Sequence, residues 1–98
     1  MLFTIVGKHT EVPELVKEYT QKKTSKLQKY YSSLNQIEVL FDSGQAGNVN
    51  VEIIARAEHS KVFVVTQTDK DIYRCIDAAV RKLETQLRKK KTKERDNK

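Results

Sequence analysis

The chain has 98 residues, 38% of them apolar, which suffices for one small domain with a single modest core. No apolar run approaches the roughly 20 residues of a membrane span. The start, MLFTIVGKH, lacks the basic segment and cleavage pattern of a signal peptide, and a lone cysteine, Cys75, excludes an internal disulfide, so a cytosolic protein is expected. A net charge of +6 and a pI near 9.5 favour polyanionic partners, nucleic acid ahead of an anionic membrane surface.

In chain order, Leu2–Val6 reads as a short strand ended by Gly7. Val12, Leu15, Val16, Tyr19, Leu27, Tyr30 and Tyr31 recur at helical spacing and predict a helix over Pro13–Tyr31. Pro13 suits the first helical position, where a missing N–H costs nothing, and Glu14 complements the positive end of the helix. Lys22, Lys26 and Lys29 stack along one flank of the apolar arc. Lys23 falls inside it, so its stem is expected on the core with the ammonium reaching water. Asn35–Asp42 is a second strand with Ile37, Val39 and Phe41 on one face, and SGQAGN (Ser43–Asn48) is a turn. Val49, Val51, Ile53 and Ala55 then alternate with Asn50, Glu52, Ile54 and Arg56 in a third strand. Glu58-His59-Ser60 makes a tight connection to a fourth, Lys61–Thr68, rich in β-branched residues.

The segment from Asp71 to about Lys91 is strongly helical in pattern. At about 100° per residue, Ile72, Tyr73, Ile76, Ala79, Val80, Leu83 and Leu87 share roughly a third of the circumference. Arg74, Arg81 and Arg88 line up nearly opposite, and Lys82 and Lys89 form a second seven-spaced row on their flank. Asp77→Arg81 and Glu84→Arg88 are i,i+4 pairs in the favourable order, each contributing about 0.2–0.5 kcal/mol. Lys82, Lys89 and Lys90 have no acid four residues before them. Cys75, at the edge of the arc, reads as a small packing residue. Residues 92–98 carry no apolar pattern and are expected to form a basic, disordered tail to a single domain over residues 1–91.

The order β-α-β-β-β-α predicts an antiparallel meander of the last three strands and a parallel pair between the first two. Both helices must bury their arcs, so an α+β two-layer sandwich is expected, a four-stranded sheet with both helices on one face. The other face would be open, with Leu2, Leu40, Ile54, Val62 and Val64 as its aliphatics. Seven-spaced cations repeat about every 10 Å along a helix, a spacing suited to successive backbone phosphates. Local ion pairing and the negative C-terminal helix end account for part of the same pattern. There is no glycine-rich phosphate loop, no Cys/His set at metal spacing and no aromatic RNA-stacking strand of the type FVxF. His9 and His59 lie in predicted loops without an evident partner. No residue set assembles a reaction, and neither a cofactor nor a small-molecule substrate is implied.

Two stretches carry a family resemblance. Asp71-Ile72-Tyr73-Arg74-Cys75-Ile76-Asp77 and Lys82-Leu83-Glu84-Thr85-Gln86-Leu87-Arg88-Lys89 resemble the "DMYAAID…KLxxQLxKxK" signature of the ribosome hibernation promoting factor and protein Y family. Gly7, Val12, Glu14, Lys23, Lys26-Leu27, Tyr30-Tyr31 and Ile37 agree with its N-terminal half. The resemblance implies a fold similar to double-stranded RNA-binding domains. It also implies binding to ribosomal RNA in the small-subunit channel of messenger and transfer RNA, which silences idle bacterial ribosomes under stress. The contacts it implies come from Lys22, Lys23, Lys26 and Lys29 on the first helix. On the second they come from Arg74, Arg81, Lys82, Gln86, Arg88, Lys89 and Lys90. The chain departs from the family pattern at Lys8-His9, at Pro13, at Arg74-Cys75 and in the more apolar fourth strand. It is expected to resemble the family's short form, without the extra C-terminal domain of the long form. Two alternatives remain open on the residues alone: a general structured-RNA-binding module, and a homodimeric interaction domain that uses the open sheet face.

Overall fold

Alternation of apolar and polar residues in four segments yields four strands, and two apolar stripes yield two helices. In the computed structural model, which describes residues 1–96 and side chains through Lys91, these are β1 (Leu2–Lys8), α1 (Glu14–Ser25), β2 (Leu34–Ser43), β3 (Val49–Ala57), β4 (Lys61–Asp69) and α2 (Ile72–Asp96). The sheet order is β1-β2-β3-β4. β1 runs parallel to β2, with Phe3 opposite Ile37, and β2-β3-β4 form the antiparallel meander, with Val39 opposite Ile53 and Ile53 opposite Val65. That is the expected α+β sandwich.

The core lies between the sheet and the helix layer. Ile37, Val39, Phe41, Val51, Ile53 and Ala55 supply its floor, and Cys75, Ile76, Ala79, Leu83 and Leu87 of α2 its roof, all essentially inaccessible to water. Full burial of a side chain such as Leu83 or Leu87 contributes about 1.5–3 kcal/mol. Asp71 starts α2: its carboxylate accepts from the N–H groups of Tyr73 (2.9 Å) and Arg74 (3.2 Å), donors that the first helical turn leaves without a carbonyl.

Several boundaries differ from the sequence expectation, each for a local reason. β1 continues through Gly7 to Lys8. Gly7 is required by close approach, since a Cβ there would lie 2.4 Å from the Thr10 carbonyl oxygen. Pro13 precedes α1 rather than opening it; its carbonyl accepts from Val16 and Lys17. The first helix ends at Ser25, not Tyr31, and tightens into a 3₁₀ turn over Lys26–Lys29. The hydroxyls of Thr24 and Ser25 bond back to carbonyls of the preceding turn, an interaction that perturbs regular helix there.

The buried stripe of α1 is Val16, Thr20 and Thr24, continued by Leu27 in the 3₁₀ turn, while Leu15 is 71% exposed. The two threonines bury without penalty because each hydroxyl donates to the carbonyl four residues back, Thr20 to Val16 (2.7 Å) and Thr24 to Thr20 (2.9 Å). α2 continues to Asp96, so the backbone of residues 92–96, expected as tail, is helical. That stretch has no glycine or proline, and lysine, arginine and glutamate are good helix formers. Residues 97–98 of the expected tail lie outside the described residues.

Candidate nucleic-acid interface

The two helices run side by side in the same direction, and their contacts fix which cations meet. Tyr19, midway along α1, stacks edge-on against Tyr73 in the first turn of α2, with ring centroids 4.9 Å apart. The Tyr19 hydroxyl donates to Asp77 Oδ1 at 2.6 Å. That bond, more than desolvation, pushes the Tyr19 phenol up to about 12, because ionising it would place a second anion against the carboxylate. Lys23, one turn on, has its Nζ 3.8 Å from Asp77 Oδ1 and 5.4 Å from the centre of the Tyr19 ring. Its stem lies along the helix junction and its ammonium is accessible, as expected from its place inside the apolar arc.

At the far end of the layer the contacts gather around Tyr30. The Arg88 guanidinium lies 4.6 Å and Lys29 Nζ 5.2 Å from its ring centre, so two cations from different elements share one aromatic. Glu84 holds Arg88 from behind at 3.6 Å, the expected i,i+4 pair. The other expected pair does not form. Asp77 turns to Tyr19 and Lys23 on α1, and Arg81 has no ion pair with a described residue. Between these two ends runs a shallow groove lined by Lys23, Asp77, Val80, Arg81 and Glu84. Lys22 on α1 and Lys26 at the start of the 3₁₀ turn are both exposed.

The remaining cations of α2 lie elsewhere. Lys82 Nζ donates to the Thr66 carbonyl of β4 at 3.1 Å. Lys82, Thr85 and Gln86 line a depression against that edge strand, and Lys89 follows Lys82 by seven residues on the same row. The lysine row of α2 therefore flanks the β4 side, and Arg81 and Arg88 of the arginine row flank the α1 side. The lysine rows of the two helices thus do not border one common groove. Lys90 is half-buried and continues the stripe of Leu83 and Leu87. Arg74 pairs with Asp69 at 3.0 Å; the Asp71 N–H and then this guanidinium hold the Asp69 carboxyl below the usual carboxylate range.

The helix layer thus presents cations on both flanks of α2 and along α1, and the two acids inside its groove are already engaged by protein groups. The sheet's outer face differs. Leu2, Val62 and Val64 are exposed there, and its charges include a matched pair, Arg56 to Glu38 at 3.3 Å. The thiol of Cys75 is buried, which pushes its pKa up, and its Sγ lies 3.3 Å from the Gln67 carbonyl oxygen. That is a packing role. Sequence reasoning missed the Tyr19–Asp77 bond and the Tyr30 clasp. The one available signal was an acid, Asp77, immediately beside the core stripe.

Among the described residues no helix is long and apolar enough to cross a membrane. The chain is 30% identical to the ribosome hibernation promotion factor of Bacillus subtilis over 95% of its own length, and spans half of that protein. It is 27% identical to the ribosome hibernation promoting factor of Escherichia coli K12, over 95% of this chain and 96% of that one. Its fold matches a ribosomal subunit interface protein from Coxiella burnetii with a TM-score of 0.86 at 23% identity, covering 94% of this chain and 99% of that one. It matches the N-terminal domain of Thermus thermophilus Protein Y with a TM-score of 0.78 at 25% identity, covering 90% and 96%. The family pattern described as sigma 54 modulation protein / S30EA ribosomal protein matches residues 3–95. By that match, over a length that takes in both helices and all four strands, the chain belongs to the sigma 54 modulation protein / S30EA ribosomal protein family.

Proposed function

We propose that this protein is a non-enzymatic ribosome hibernation factor. It binds ribosomal RNA of the small subunit in the channel of messenger and transfer RNA, and so blocks translation by occupying that space. The observation that carries the reading is the charge distribution of the helix layer. Lys22, Lys26, Arg81 and Lys89 lie exposed without an ion pair among the described residues, while Asp77 and Glu84 are engaged by Tyr19, Lys23 and Arg88. A groove whose own acids are internally satisfied, with open cations beside it, suits a phosphate backbone. Phosphate contacts position a protein on RNA without reading sequence, and shape fit then selects the site. Membership in a family with ribosome hibernation promoting factors among its curated relatives supports the choice of the ribosome as partner.

The test is binding of the purified protein to vacant small subunits as salt is raised, beside a Lys26→Glu/Lys82→Glu/Lys89→Glu variant. The expected result is a steep negative salt dependence for the wild type, lost binding for the variant, and competition by messenger RNA. Equal binding by both proteins, or wild-type binding unaffected by messenger RNA, would sink the reading.

A further inference from the structure

Asp77 sits in the groove between the helices, on the face assigned above to a polyanion. By charge alone it opposes that partner. Its contacts explain why it is there. Among the described residues of α2 it is the one acid that reaches across to α1, accepting from Tyr19 Oη at 2.6 Å with Lys23 Nζ 3.8 Å away. The Tyr19 ring, held by that bond, packs edge-on against Tyr73 and lies under the Lys23 ammonium. Four side chains from two helices thus share one junction, and Lys23, a cation with a flexible four-carbon stem, is confined there by carboxylate and ring together. At a longer distance than a tight ion pair, the ammonium keeps donors for an incoming phosphate.

Resting on the function proposed above, we infer that Asp77 and Tyr19 are positioning residues for phosphate binding. They lock α1 to α2 and aim Lys23 into the groove beside Arg81. A pocket of this kind requires the acid, so removing a negative charge weakens the grip on a polyanion. Simple Coulomb attraction requires the opposite sign. The Tyr30 end is built on the same plan, with Glu84 holding Arg88 over the ring.

The experiment compares four proteins: wild type, Asp77→Asn, Tyr19→Phe and Glu18→Gln. Glu18 is exposed on α1, one turn before Lys22, with no ion pair among the described residues, so its substitution reports the loss of one negative charge alone. Each is titrated with vacant small subunits and, separately, with a plain RNA duplex, across a range of potassium chloride, with folding checked by circular dichroism. Glu18→Gln is expected to bind slightly tighter. Asp77→Asn and Tyr19→Phe are expected to bind about tenfold weaker, as for loss of one charge-assisted contact, with a salt slope on the duplex smaller by about 0.9. Tyr19→Phe keeps every charge and the ring, so it decides the matter if Asp77→Asn does not fold. Tighter binding by Asp77→Asn, or unchanged affinity and slope in Tyr19→Phe, overturns the inference. A wild type that binds the duplex but not the subunits overturns the ribosomal reading alone, and the signs on the duplex still decide the role of Asp77. If the wild type binds neither, both fall.

Discussion

Single residues decide more here than their burial suggests. The raised Tyr19 phenol has a defined consequence for stability. Its folded pKa of about 12 lies above the ordinary value of 10, so its hydrogen bond to Asp77 contributes fully below pH 10 and is lost as pH rises toward 12. The stability difference between wild type and Tyr19→Phe is therefore expected to shrink across pH 10–12, measured by urea unfolding at several pH values. A constant difference over that window would contradict the bond. Gly7 makes a second residue-scale case. Gly7→Ala is expected to cost about 2 kcal/mol, because the added methyl must push the Thr10 carbonyl aside; thermal unfolding reads it. The sequence marks Gly7 as special but suggests the wrong reason, a strand end, since the segment that folds back over it is visible only in three dimensions. Asp77 was hidden for a similar reason. Its spacing to Arg81 offers a local partner, and only the packing of the helices supplies a better one, a neutral hydroxyl that donates at short range.

At the scale of elements, period-2 alternation in β2 and β3 and the apolar arc of α2 identify Ile37, Val39, Phe41, Val51, Ile53, Ala55, Ile76, Leu83 and Leu87 as core, and all are buried. α1 was harder to read. Its inward stripe contains two threonines, which score as polar, while Leu15 mimics a core position and faces water. A threonine that satisfies its own hydroxyl within the helix behaves as a small β-branched apolar residue, and hydropathy cannot register that. Thr24→Val is therefore expected to change stability by less than about 1 kcal/mol, since donor and shape are removed and replaced together. Thr24→Leu is expected to cost about 1–3 kcal/mol by overpacking the helix against the sheet. Thermal melts of the two variants separate a packing role from a hydrogen-bonding one; a large loss in Thr24→Val would show that the hydroxyl serves a partner outside the helix.

For the whole molecule the distribution of charge matters more than its sum. The helix layer gathers the cations, and the opposite face of the sheet holds exposed aliphatics and the Arg56–Glu38 pair. A polyanion is thus expected to meet the protein from one side. The affinity for small subunits should fall linearly on a logarithmic salt scale, by about 0.7–0.9 per phosphate contact. The Lys26→Glu/Lys82→Glu/Lys89→Glu protein should show a slope shallower by two or more on that scale if it binds at all. Filter binding at several salt concentrations gives both slopes, and identical slopes would mean that these lysines meet no phosphate. The two-layer architecture follows from the order of elements, because a parallel first pair and a three-strand meander leave both helices the same face to cover. Which row of cations borders which groove does not follow. It depends on the rotation of α2 about its own axis, which is set by how Ile76, Leu83 and Leu87 seat on the sheet.

The parallel pairing of β1 with β2 has a kinetic consequence. β2, β3 and β4 are joined by short turns and can zip in sequence, with Ala57 opposite Lys61 across one tight connection. β1 finds its place only after α1 and its flanking loops have been drawn together, so that Phe3 meets Ile37. Contacts that close long stretches of chain form late, and their entropy must be recovered by what they bury. β1 is also an edge strand whose Leu2 is exposed, so it gains comparatively little. Its amide protons should exchange with deuterated water well before those of β3, making the first strand of the chain the last to join the sheet and the first to leave it.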